Sequence, residues 1–203
     1  LRKEGYIAIR EERGLELLDA GQSDAFAVAD HQIAHVYCKN DKDIDKVATL
    51  IKAVEGVEKV LYGEDLKDYY IDHDRCGDIV VVADKDSWFT YYFWLDDAKA
   101  PDYARMVDIH KKPGYDPVEM MTNPKDKLVM AKVVGKLIKK KMGFRTVMDI
   151  IPIDATLIKG SHGRITEDVE DYPIFISNHS FGKKDQTISA IQVRDLIEDH
   201  LLN

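Results

Sequence analysis

Two hundred and three residues make one domain, or at most two small ones. Hydrophobic residues at 45% provide a core, and with 33% charged residues they exclude a disordered chain. Twenty-nine Lys plus Arg against 37 Asp plus Glu leave a formal charge of −8, which is not the electrostatics of a nonspecific nucleic-acid binder.

The opening, Leu1 to Gly21, places Ile7, Ile9, Leu15, Leu17 and Leu18 at spacings that predict a helix ending near Gly21. Ala25 to Ala29 is an apolar run of buried-strand length, stopped by Asp30-His31, and Ile33 to Tyr37 is a second. Asp43 to Glu55, with Ile44, Val47, Ile51 and Val54, predicts an amphipathic helix closed by Gly56. Val57 to Leu61 follows as a strand, Glu64 to Tyr70 as a short helix, and Ile79 to Ala83 as the strongest strand, almost wholly β-branched. Ser87 to Pro124 holds six of its eight aromatics between Trp88 and Trp94, together with four prolines. It reads as a packed, irregular segment, either a satellite core or a binding loop, inserted over residues 84–126. Asp126 to Lys141 predicts a basic helix whose lysines form a solvated face. Ile150 to Ile158 is apolar around Asp154, Pro173 to Ser177 reads as a strand, and Thr187 to Leu202 as a terminal helix capped by Thr187 or Ser189. Helix, Gly, strand is the grammar of an α/β layer, so the expected architecture is a mostly parallel sheet sandwiched by helices, with the aromatic-rich insertion beside it.

No apolar run reaches the roughly 18 residues that span a bilayer, and Leu1 to Tyr6 contains no secretory core. Cys38 and Cys76 form neither a disulfide framework nor a zinc motif, and are expected to be packed thiols. A cytoplasmic location is the default expectation, a signal cleaved upstream being the alternative. No membrane and no nucleic-acid partner is expected. A first residue that is Leu rather than Met suggests a piece of something longer.

Two stretches carry chemistry. Asp30-His31 ends an apolar strand, where open α/β sheets bind ligands, and pairs a hard oxygen with an imidazole, a mixture suited to zinc or manganese. Asp30 as a turn cap beside a satisfied His31 is the competing reading. Gly160-Ser161-His162-Gly163 lets the backbone approach closely while an imidazole projects; a glycine-rich turn with an incidental His is its competitor. Asp108 and His110 alternate along an extended segment and could contact substrate, and Arg164 could neutralise phosphate charge. Asp96-Asp97 caps a turn or lines a pocket. Arg75 and Asp78 flank Gly77 in a structural turn with an ion pair.

In this order, Phe26 to Gln32, Arg75 to Val80, Trp88 to Asp97, Asp108 to Pro117 and Gly160 to Gly163 resemble the C-terminal half of an alkaline phosphatase superfamily catalytic domain. Bacterial type I phosphodiesterase/nucleotide pyrophosphatase-like proteins look closest. The resemblance implies that residues 1–203 are the C-terminal portion of one such α/β domain. It implies two divalent ions, zinc or manganese, clamping displacement at phosphorus. Asp30 and His31 would hold the ion that activates the nucleophile, and His162 the other. It also implies that the remaining ligands and a Thr or Ser nucleophile lie upstream of Leu1, so the chain by itself has an incomplete site. Gln32 stands where that family has Gly, which leaves the substrate class open.

The expected function is thus part of a two-metal hydrolase of phosphodiester, pyrophosphate or phosphomonoester bonds, inactive as this piece. Its substrate would be a small phosphorylated molecule such as a nucleotide. Its partner would be the missing half of the domain, or a second copy through an exposed sheet edge. The alternative is a non-catalytic α/β binding or assembly module of the same fold.

Overall fold

A computed structural model describes residues 1–107, 121–178 and 187–202, in two compact units, Leu1–Ile165 and Thr166–Asn203. The first unit opens on a hairpin, not the expected helix: β1 (Ala8–Glu12) pairs antiparallel with β2 (Leu15–Asp19). Arg13 and Gly14 between them take φ of 54° and 80°, the left-handed pair of a type I′ turn. Leu15 and Leu17 fit a two-residue period while Leu15 and Leu18 fit a helical one, and the turn chemistry decides between them.

The main sheet has four strands in the order β3 (Ala25–Asp30), β4 (Ile33–Cys38), β6 (Ile79–Ala83), β5 (Val57–Tyr62), and every pairing is antiparallel. This corrects the expectation of a mostly parallel sheet: among the described residues there is none. Residues 31 and 32 alone join β3 to β4, a connection that only an antiparallel pair can use. Helix α1 (Ile44–Lys52) then carries the chain to β5, entered through Gly56 at φ +85°. The short helix α2 (Asp65–Asp68) and the turn through Gly77 send β6 back between β4 and β5. The two strands joined by the crossover helix are therefore separated by one running the other way. Helix-then-strand grammar says that the chain returns, not which slot it takes.

All five residues of β6 are buried, which is why this strand is apolar on both faces. Ile79 and Val81 join Ala25, Ala29, Ala34, Val36, Val47 and Ala48 in one cluster, while Val80 packs with Leu61 and Leu66. Each such Ile or Val contributes about 1.5–3 kcal/mol by leaving water. The turn before β6 presses on β4: a Cβ on Gly77 would stand 2.8 Å from both the amide nitrogen and the carbonyl oxygen of Val36. Asp78 accepts from the Cys38 amide at 2.7 Å, in place of the ion pair expected with Arg75.

Beyond β6 the described part of the aromatic segment holds no strand. Phe89 and Tyr91 pack against the sheet core, and the Tyr91 hydroxyl donates to the carbonyl of Ala29. Trp94 is buried, stands 4.8 Å from Tyr92 between ring centroids, and donates to Asp97 at 2.9 Å, while Asp96 caps the turn that follows. The satellite-core reading fits these contacts. Helix α3 (Val129–Lys141) is followed by a return to the body at Met106–Asp149 and Ile151, and Asp154 caps a single turn over Ala155–Leu157. In the second unit, residues 173–177 form no strand, a correction to the expectation. A strand needs a neighbour to bond, and no described residue of that unit pairs with them. Helix α4 (Gln192–Leu202) is present, with the Gln192 side chain accepting from the Ser189 amide at 3.0 Å, half of a capping box.

Candidate metal centre

The β3–β4 hairpin tip is bonded on every side. His31 takes φ +58° at the first of the two loop positions, a place that normally favours Gly. Such a conformation costs about 1–3 kcal/mol and persists where its surroundings over-determine it. Here the His31 carbonyl accepts from Phe89 at 2.7 Å, and the Gln32 carbonyl from Ala83 at 2.9 Å. The buried Gln32 side chain donates to the carbonyls of Asp84 at 3.2 Å and Ser87 at 3.1 Å. Gln32 therefore latches the tip to the segment after β6. Sequence reasoning noted it only as a departure from a glycine.

The second strip docks onto this tip. The Gln32 amide donates to the His162 carbonyl at 2.9 Å. Gly163, at φ +114°, lies so close that a Cβ there would meet the Asp30 carbonyl oxygen and the Ile33 nitrogen at 3.3 Å. The glycine is thus used for approach to the hairpin, where the sequence suggested approach to a ligand. The imidazoles of His31 and His162 stack with centroids 4.0 Å apart, and Ser161 Oγ stands 2.7 Å from His31 Nδ1. Nε2 faces Asp30, whose Oδ1 is 3.7 Å away, and with the hydroxyl as acceptor from Nδ1–H it would keep the lone pair that a metal needs. Ser161 was not singled out from sequence. Its position immediately before His162 in a glycine-framed turn was the available signal.

One donor atom each from Asp30, His31 and His162 lies within 4.8 Å of the other two. His31 is 5% exposed, whereas the Asp30 side chain is 68% exposed and His162 is exposed too. Ligands about 2.1 Å from a tetrahedral ion stand about 3.4 Å apart, so donors within 4.8 Å of one another must draw closer to hold one. Two imidazoles and a carboxylate form the donor set of catalytic zinc sites with three protein ligands, and leave a position for water or substrate. The residues fit a divalent ion.

Of the other sequence-derived residues, Asp108 and His110 lie outside the described residues. Arg164 directs Nε to Glu58 at 2.5 Å, tying the His162 loop to β5. His35 accepts from the Gly77 amide at 3.1 Å, with Cys76 Sγ at 3.6 Å. Burial, reinforced by Asp78 and Asp43, pushes the Cys38 thiol up to about 11, and burial raises Cys76 as well. Both are packed thiols rather than thiolates. An apolar cavity of about 330 Å³ runs beside β3, lined among others by Phe26, Val28, Tyr91 and Phe93.

The family model described as type I phosphodiesterase / nucleotide pyrophosphatase matches residues 1–116. The matched segment contains Asp30 and His31 but ends before His162. Neither a curated protein nor a solved structure matches the chain.

Proposed function

The chain belongs to the type I phosphodiesterase/nucleotide pyrophosphatase family, and from that premise we propose that Asp30, His31 and His162 hold one divalent cation in a centre that hydrolyses phosphodiester or diphosphate bonds. The convergence of the three donors from segments about 130 residues apart supports this reading. Bound there, zinc or manganese would polarise a phosphoryl oxygen and lower the pKa of a bound water. The chain's own residues do the positioning. Ser161 orients His31, the Gln32 amide holds the His162 backbone, and Asp30 supplies the negative charge that draws a cation. Val28 lies on the same face of β3 as Asp30, two residues back, so the apolar cavity beside it suits the organic part of a phosphorylated substrate such as a nucleotide.

Three donors suit one ion; a second ion needs donors from elsewhere. That count favours a second reading, a module that binds metal or substrate without turnover. Calorimetric titration of the chain with Zn²⁺ or Mn²⁺ is expected to give one equivalent, abolished in His162→Ala. No binding by the wild-type chain, or unchanged binding in the variant, removes the metal centre. Hydrolysis of a nitrophenyl phosphodiester by the metal-loaded chain separates the two readings.

A further inference from the structure

Residues 127–148 contain six lysines and one arginine and not one acidic residue, in a chain whose overall charge is −8. Within them α3 is amphipathic but turned inside out. Its polar side is tethered to the body, since Lys136 reaches the Asp149 carboxylate and, at 3.3 Å, the Val147 carbonyl. Lys132 is paired with Asp126 at 2.5 Å. Met130, Val134, Leu137 and Ile138, at the i, i+4, i+7, i+8 spacing of one helix face, are each half or more exposed, and no residue of the helix is buried. Leu128 before the helix and Phe144 after it, both exposed, lengthen the apolar strip. Lys139, Lys140 and Lys141 cluster at its C-terminal end.

We propose that this helix lies on an anionic phospholipid surface, with Met130, Val134, Leu137 and Ile138 entering the acyl boundary and the cations meeting the headgroups. Charge complementarity selects the partner. With Lys132 and Lys136 paired to Asp126 and Asp149, the five remaining cations of residues 127–148 gain attraction at an anionic leaflet, and lysine stems flanking the strip can snorkel to the headgroup level. Size argues the same way. A stable protein interface needs about 20–30 residues a side, whereas a single exposed helix about 20 Å long suits a plane. The expectation of no membrane partner rested on the lack of a spanning run, and an in-plane helix requires none. This surface is independent of the metal centre.

Vesicle co-sedimentation of the full chain tests it. Binding is expected to phosphatidylcholine vesicles carrying about 25% phosphatidylglycerol, and little to phosphatidylcholine alone. Raising salt from about 0.1 to about 0.5 M should weaken it severalfold. Leu137→Glu and the pair Lys139→Glu, Lys140→Glu should each cut the bound fraction about tenfold with far-UV circular dichroism unchanged, because these positions are exposed. Equal binding to both vesicle types, binding to neither, or binding indifferent to Leu137→Glu overturns the proposal. So does a dimer in equilibrium sedimentation that Leu137→Glu dissociates, which would make the face a contact between copies.

Discussion

The sheet and the loop that meets it are built on different principles. Ile79, Val80 and Val36 lie in strands bonded on both sides and almost fully excluded from water. From residue 121 onward, Ile151 is the only hydrophobic residue that is buried among those described. Yet the third donor, His162, comes from that sparse region. A strand holds its place through many weak apolar contacts, whereas the loop at 160–164 is held by a handful of directional ones. These are the Gln32–His162 backbone bond, the His31–Ser161 bond, stacked imidazoles, the close approach of Gly163 and the Arg164–Glu58 pair. The site is a rigid half and a pinned half, so damage to each should look different.

The largest effect is expected from the rigid half. Ile79→Ala should cost about 2–5 kcal/mol of stability, read as a fall in melting temperature on the order of 10 °C, and metal binding should fail only as the fold fails. The pinned half should show the opposite. Gly163→Val adds a branched side chain at φ +114°, where a Cβ already meets the hairpin backbone. Its strain of about 1–3 kcal/mol should lower metal affinity roughly 10- to 100-fold, with little change in melting. An unchanged affinity would show that the loop is not pinned there.

Ser161→Ala should weaken metal binding by roughly tenfold or more, and Ser161→Thr should restore it, because a hydroxyl rather than bulk orients His31. Failure of the Thr rescue would make the residue structural. Arg164→Ala removes a partly buried ion pair that ties the loop to β5 and should cost about threefold in affinity. Last come the thiols. With Cys38 raised to about 11 by burial and acidic neighbours, its thiolate fraction at neutral pH falls well below that of an ordinary thiol. Alkylation of the native chain should be on the order of 100-fold slower than for a free cysteine and should climb steadily with pH up to that range.

Much of the local structure could be read from residue order. The β-branched run at Ile79 to Ala83, the strand ending at Asp30, and the helices α1 and α4 follow from periodicity and turn chemistry, whereas α1 ends at Lys52, capped by Ala53, and Gly56 serves the entry to β5 instead of closing the helix. The first hairpin misled because Leu15 and Leu18 fit a helical spacing while Leu15 and Leu17 fit a strand, and Arg13-Gly14 went unread as a turn. The run at 173–177 misled for the converse reason, having strand composition but no partner among its described neighbours. At the site, Asp30, His31 and His162 could be named by residue type and order, whereas Ser161 and Gln32 could not. A hydroxyl and an amide become informative only when it is known which imidazole and which carbonyls they face.

Residue order by itself determined which positions seek burial and which side chains have metal-binding chemistry, because those properties act over a few neighbouring residues. The tertiary structure decided that every strand pairing is antiparallel, with β6 entering between β4 and β5, and that His162 comes to rest against His31. Such choices depend on hydrogen bonds and contacts between residues distant along the chain. Their free energy appears only once both partners are in place, so no local pattern records it.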